Sequence, residues 1–391
     1  MGAGWRSMAS TIFSRLMSGI RIALVTDPQP AIALGAVQAY VQRHQLAWQI
    51  SVIDQAGWRL ASMQAELALA GFAGAMGWSY PPQPSWLEHA PIPRVLWTGH
   101  DSPPGPAAVH LGPDDAATGR LAARHFRDQG LRHVAVVRHW RLAVRQTRYA
   151  SFLAEAAALG LGTLVYEPSE ELEREAQLAR LADWLRNAPH PLGVFLHQDR
   201  DALSLLLFCQ EQGLAIPDQV AVLGVDDLPA AATSVPALSS IAWPVSLIAT
   251  TMAARLHRLL AGADRGGLSE MVAPMRVVAR ASTGPCSSGD ALIDALRLRL
   301  AAKPGRGWRG RDLAAATGLS RAQLHRRFRA ACGSTPGAEL QRHRIRLAQD
   351  LLAEGRLPVA EVARRCGLRT SAGLWKSFQR AGLPPPSAWR A

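Results

Sequence analysis

What this chain of 391 residues lacks narrows it first. Its four cysteines, Cys209, Cys286, Cys332 and Cys366, stand far apart with no CxxC pair. That excludes a disulfide framework and a cysteine zinc site, and it fits a reducing, cytoplasmic setting. No window approaches about 18 uncharged apolar residues in a row, so no membrane span is expected. His139 and His197 follow apolar runs, yet no further ligand stands at metal spacing. A phosphate-cradling glycine loop and a nucleophile elbow are both missing. The sequence therefore predicts no metal, no cofactor and no enzymatic centre. Arg6 and Arg15 interrupt any signal-type apolar run at the start, so residues 1–18 are expected to be a disordered extension, with Met8 and Met17 as alternative starts.

Net charge is also missing from the first three quarters of the chain. Residues 1–289 hold 23 Lys and Arg against 23 Asp and Glu, whereas residues 290–391 hold 20 against 7, so the whole excess of +13 sits in the final quarter. A basic unit of domain size attracts polyanions over long range, which makes double-stranded DNA the leading partner. With 48% hydrophobic residues, the chain has material for two or three packed domains.

In the neutral body, β-rich runs at 20–26, 48–54, 134–137, 193–197 and 220–225 alternate with helical stretches at 31–44, 59–70, 146–159 and 202–212. Such alternation predicts an α/β fold of parallel, doubly wound sheets. The body, residues 19–284, is too long for one such sheet, and the proline-rich passage 80–113 is expected to divide it into two subdomains. A ligand then belongs in the cleft between them.

The basic end, residues 290–391, predicts an all-α domain with two helix-turn-helix units, at 311–330 and 359–380. In the first, Gly318 suits the left-handed turn, Ser320 suits a helix cap, and Leu324 and Phe328 fall on one buried face. Arg321, Ala322, His325, Arg326 and Arg329 are left to face the major groove. In the second, Leu374 and Phe378 are the buried pair, while Arg369, Thr370, Ser371 and Lys376 are left to reach DNA.

The body resembles the sensor core of LacI/GalR-type, periplasmic-binding-protein-like repressors. The resemblance lies at 112–125, 148–152, 195–202, 216–227 and 238–241, in that order and spacing. The basic end is similar to the DNA-binding domain of the AraC/XylS family. It carries Leu313-Ala314, Gly318-Leu319-Ser320, Leu324, Arg327-Phe328, Gly333, Pro336, Arg344, Ala348 and Leu351-Leu352, then Val362-Ala363, Cys366-Gly367-Leu368, Leu374, Phe378, Pro386 and Trp389-Arg390. Its second half departs from the pattern at Ala372, Gly373 and Leu383. The order of the two parts is that of the xylose-responsive activators of the AraC/XylS family. That resemblance implies a small sugar effector, a pentose such as D-xylose, together with homodimerisation, promoter DNA as partner and activation through RNA polymerase.

The same resemblance places ligand contacts on Arg148, Asp226 and Gln198. A guanidinium can donate to vicinal hydroxyls, and a carboxylate at a strand end can accept from two. A surface arginine and a helix cap are the plain alternatives for the first two. Trp140 and Trp243 follow apolar strands and suit either a sugar ring or the core. The loop 26–31 is shorter than in the xylose sensors, with only Asp27 and Gln29 besides Thr26 left as polar side chains to contact a ligand there, Asp27 first, which leaves the effector open. A different effector or none, a sugar-processing enzyme with a basic appendage and a nonspecific nucleoid protein are the rival readings.

Overall fold

The computed structural model describes residues 19–26, 30–54, 71–79, 90–98, 107–138, 146–169, 171–284, 288, 290–353, 357–381, 383 and 385–389. In the body, strands β1 (Ile20–Thr26), β2 (Trp48–Asp54), β3 (Gly74–Ser79), β4 (Arg94–Thr98), β5 (Ala108–Pro113) and later β11 (Leu268–Val272) form one sheet, ordered β11-β5-β4-β3-β1-β2. Strands β6 (His133–Val137), β7 (Gly162–Tyr166), β8 (Leu192–Phe195), β9 (Val220–Val225), β10 (Ser239–Ala242) and β12 (Arg276–Val278) form the second, ordered β12-β10-β9-β8-β6-β7. Every pairing is parallel except β10 with β12. Strands β3, β4, β8 and β9 are buried along their full length, as continuous apolar runs in two-sided parallel sheets should be.

Helices α1 (Pro30–Arg43), α2 (Asp115–Gln129), α3 (Gln146–Ala158), α4 (Arg174–Asn187), α5 (Asp199–Glu211), α6 (Pro229–Thr233) and α7 (Val245–Leu260) complete the body. One core joins the first sheet to α1 and α7 through Ile22, Met76, Trp97 and Met252. The second sheet has a core on each face, one shared with α2 and α3, the other with α4 and α5. Gly119 lets α2 and α3 touch, since a Cβ there would lie 2.3 Å from the Arg148 carbonyl oxygen.

The chain crosses between the sheets three times: after β5, between β10 and α7, and between β11 and β12. The passage 80–113 is thus more than a divider. Its apolar stretches around Val95–Trp97 and Val109–Leu111 supply β4 and β5 to the first sheet. The helix expected at 59–70 lies outside the described residues.

The basic end holds α8 (Ala291–Ala302), α9 (Gly310–Ala315), α10 (Arg321–Cys332), α11 (Pro336–Ala353), α12 (Val359–Arg365) and α13 (Ser371–Arg380). Ile293, Leu296, Leu313, Leu324, Phe328 and Leu340 pack the first unit; Ala348, Leu352, Val362, Leu374 and Phe378 pack the second. Helix α11 contributes to both, so the two units share one strut. Among the described residues, no helix is long and apolar enough to cross a membrane.

Candidate ligand cleft and nucleic-acid interface

Arg148, Asp226 and Trp243 meet where β8, β9 and β10 end. Trp243 packs against the cores of both subdomains, stands edge-on to Trp97 of β4 with ring centroids 5.5 Å apart, and donates its indole N–H to Asp226 Oδ1 at 3.2 Å. The Arg148 guanidinium lies over the same indole, 5.8 Å from the ring centroid. Only 2% exposed, Arg148 is no surface residue. Its Nε donates to Asp115 Oδ1 at 2.7 Å and its Nη1 to the His197 carbonyl at 2.5 Å, so its plane is fixed from inside the protein. Tyr149, whose hydroxyl lies 3.2 Å from His197 Nδ1, is pushed up by burial and stays neutral.

Asp226 projects from a strained turn. Asp226 has φ 111° and Asp227 φ 53°, both in the region that favours glycine. Asp199, fully buried at the start of α5, holds that turn from beneath. Its Oδ2 accepts the Leu228 N–H at 2.8 Å and its Oδ1 the Ser240 hydroxyl at 2.6 Å, while Ser240 Oγ accepts the Asp227 N–H at 2.9 Å. Arg280 donates to Asp227 Oδ1 at 2.6 Å. Burial pushes the Asp199 carboxyl up to about 7 against those two hydrogen bonds, and the charges of Asp226 and Asp227 add to the rise. Glycine is required at Gly224, where a Cβ would stand 2.2 Å from Asp199 Oδ1.

The structure therefore brings together Arg148, Asp226 and Trp243 of the expected ligand contacts. Gln198, half-buried, follows His197 at the mouth of β8, with its backbone carbonyl opening α5. Asp27 and Trp140 lie outside the described residues. The sequence reading missed Asp115, Asp199, Ser240 and Trp97. Asp199 had a signal, a carboxylate opening the helix that follows an apolar strand, whereas Trp97 sat inside the supposed divider.

On the basic end, Ser320 caps α10 by accepting the Gln323 N–H at 3.3 Å, and Gln323 returns the contact to the Ser320 N–H. Gly318 takes φ 68° in the turn before it. Leu324 and Phe328 are buried; Arg321, Ala322, His325, Arg326 and Arg329 are all exposed. In the second unit Arg369 and Lys376 are exposed and Ser371 is half-buried. The Thr370 hydroxyl caps α13 by accepting the Gly373 N–H at 3.1 Å. Trp375, which the sequence reading did not single out, is 47% exposed on α13. Among the described residues, no group of three metal-ligating side chains converges.

A seam joins the two halves. Arg297 of α8, only 2% exposed, donates to the Gln129 carbonyl at 2.8 Å, and Arg342 of α11 lies 3.9 Å from Asp128. Arg346 reaches the Gln129 side-chain oxygen at 2.8 Å once that amide is turned to accept. Arg276 of β12 pairs with Asp350 of α11, and Met275 packs into the core of the second unit. Burial pushes the Glu339 carboxyl up, but neighbouring His343, Arg342 and Arg297 outweigh it and hold it at about 2. The body residues named here, Asp128, Gln129, Met275 and Arg276, come from the second subdomain or from the last crossover.

A model of the periplasmic binding protein-like domain matches residues 123–283, and a model of the helix-turn-helix domain matches residues 313–391. The xylose operon regulatory protein of Escherichia coli strain K12 is 27% identical over 310 residues, covering 77% of this chain and 78% of that protein. Its counterpart in Haemophilus influenzae is 22% identical over 361 residues, covering 90% and 92%. A solved xylose-binding transcription activator shares the fold, with a TM-score of 0.56 at 23% identity over 95% of this chain and 97% of that one. A LacI family transcriptional regulator from Mycobacterium smegmatis covers 68% of this chain with a TM-score of 0.51.

Proposed function

We propose that this chain, which joins a periplasmic binding protein-like domain to a helix-turn-helix domain and is a homologue of xylose operon regulatory proteins, is a sugar-responsive, DNA-binding transcription regulator. The observation that carries the reading is the convergence of Arg148, Asp226 and Trp243 between two cores, with an exposed basic helix face on the same chain. A pentose, D-xylose first among candidates, stacks on Trp243 and takes hydrogen bonds from Arg148 and to Asp226, with Gln198, Asp27 and Trp140 completing its shell. Closure of the first subdomain over the sugar stabilises one state of the sensor, and differential affinity for that state shifts how the seam presents the two units to promoter DNA.

In the DNA reading, Arg321, Ala322, His325, Arg326 and Arg329 lie in one major-groove segment; Arg369, Thr370, Ser371 and Lys376 reach the next or its phosphates. The protein works in the cytoplasm as a homodimer on paired half-sites, contacts RNA polymerase, and catalyses no reaction. The short loop 26–31 is the feature that favours a sugar other than xylose.

A thermal-shift series with D-xylose, L-arabinose, D-ribose and common hexoses tests the cleft. A ligand at about 100 times its dissociation constant stabilises by about 2.7 kcal/mol. A rise that Arg148→Ala loses supports the assignment. Indifference to every sugar removes the sensor half of the reading and leaves the DNA half standing.

A further inference from the structure

Beside the loop that joins α8 to α9 and abuts the second unit lies an open groove of about 670 Å³ lined by Arg299, Lys303, Arg306, Trp308, Asp312 and Ala315. Arg299 comes from the last turns of α8, and Lys303, Arg306 and Trp308 from the loop 303–309 that leads to α9. All three cations are exposed, and among the described residues none is held in an ion pair. Their neighbour Arg297 is buried and engaged in the seam, so α8 turns Arg297 inward and Arg299 outward, with Lys303 exposed just past its end. The single carboxylate, Asp312, is occupied at the helix start, accepting the Arg309 N–H at 2.7 Å.

The groove is built rather than slack. Trp308 donates its indole N–H to the Lys303 carbonyl at 3.0 Å, and the Arg306 guanidinium stacks 4.8 Å from the Trp308 ring centroid. Arg344 of α11 donates to the Pro304 carbonyl at 3.3 Å and to the Arg306 carbonyl at 3.4 Å. Gly305 lies so close to the second unit that a Cβ would stand 2.0 Å from the Arg365 carbonyl oxygen. At the other end, a Cβ on Gly310 would stand 3.6 Å from Arg321 Nε, at the start of the first recognition helix. The loop thus spans from one unit's turn to the other's recognition helix.

Two units that read successive major-groove segments on one face of a duplex leave the intervening backbone and minor groove facing the strip between them. That strip carries three unpaired cations on a rigid floor. We propose that this groove is a phosphate-binding surface for the DNA backbone passing between the two recognition helices, with Arg299, Lys303 and Arg306 each meeting a phosphate. The proposal rests on the DNA-binding reading above. Phosphate contacts set position and affinity but carry no base information, so the groove fixes the register of both units without choosing the sequence.

The test is the salt dependence of binding by the full chain to a random-sequence duplex of about 40 bp, read by fluorescence anisotropy. Each phosphate contact contributes about 0.9 to the slope of log affinity against log salt, so Arg299→Gln with Lys303→Gln and Arg306→Gln should lower the slope by about 2.7. Between about 50 and 200 mM salt, the wild type would then lose about 40-fold more affinity than the triple variant. A control that removes three sensor cations, Arg120→Gln with Arg132→Gln and Arg174→Gln, should keep the wild-type slope, and single Arg306→Gln should lower it by about 0.9. Binding by the wild type with an unchanged slope in the triple variant overturns the proposal, as does an equal fall in the control. Failure of the wild type to bind the duplex at low salt overturns the DNA-binding reading itself, and the proposal with it.

Discussion

Replacing Asp199 with asparagine should remove a pH dependence that the wild-type fold carries. Asp199 is fully buried, and its carboxyl sits at about 7 because burial disfavours the charge. In the unfolded chain an aspartate titrates at about 3.9. Between those two values the folded protein keeps a proton that the unfolded chain releases. Stability is therefore complete below about pH 4, falls by about 1.4 kcal/mol per pH unit, and stops falling above about pH 7, a total on the order of 4 kcal/mol. The asparagine variant has no proton to lose. It still offers an oxygen to the Leu228 N–H, which in the wild type lies 2.8 Å from Oδ2. Urea denaturation of both proteins from about pH 4.5 to 7.5 should show the variant gaining on the wild type as pH rises, with the gap levelling near 7. A gap that does not change with pH would refute the reasoning. Asp199→Ala, by contrast, leaves the Leu228 N–H and the Ser240 hydroxyl without their buried acceptor at about 1–3 kcal/mol each, and the sugar-induced thermal shift should fall with the collapse of the Asp226 turn.

Phe328→Ala, at a fully buried position in the first unit, should cost about 3–5 kcal/mol and abolish DNA binding while leaving any sugar-induced thermal shift in place. Glu339→Gln should destabilise the protein near neutral pH but converge with the wild type in acid: the ionised carboxylate stabilises above about pH 4.5, and that contribution disappears as pH falls toward 2. Arg276→Asp or Asp350→Arg alone should expose the segment between the halves to protease, whereas the two together should restore protection; failure of the double variant to recover would argue that the pair does not hold the seam.

Much of the fold was legible because it rests on local chemistry. The two sheets announce themselves as apolar runs such as Val220–Val225, and the first recognition helix as a capping serine followed by Leu324 and Phe328 on one face. Legibility ended where sequence distance became large. The passage 80–113 read as a divider because prolines outnumber its short apolar runs, yet pairing of the first run with β3 and of the second with the first turns them into strands. Arg148 and Asp226 could be named from resemblance, but the partners that hold them, Asp115 33 residues away and Asp199 with Ser240 41 residues apart, are set by the sheet's register. The seam was invisible for the same reason: Arg297 and Gln129 are 168 residues apart. Asp27 and Trp140, outside the described residues, remain part of the proposed shell.

Met275 gives the last crossover a further meaning. The segment linking the two sheets is also a tenant of the second unit's apolar core, beside residues of α11, α12 and α13. A chimaera cut at the segment between residues 284 and 290 would separate parts that are contiguous in sequence but leave Met275 behind, facing a foreign socket. The exchangeable module is therefore not the basic quarter of the chain. Engineers who graft this DNA-reading half onto another sensor will have to carry over the crossover that fits it, or rebuild the cavity into which Met275 packs.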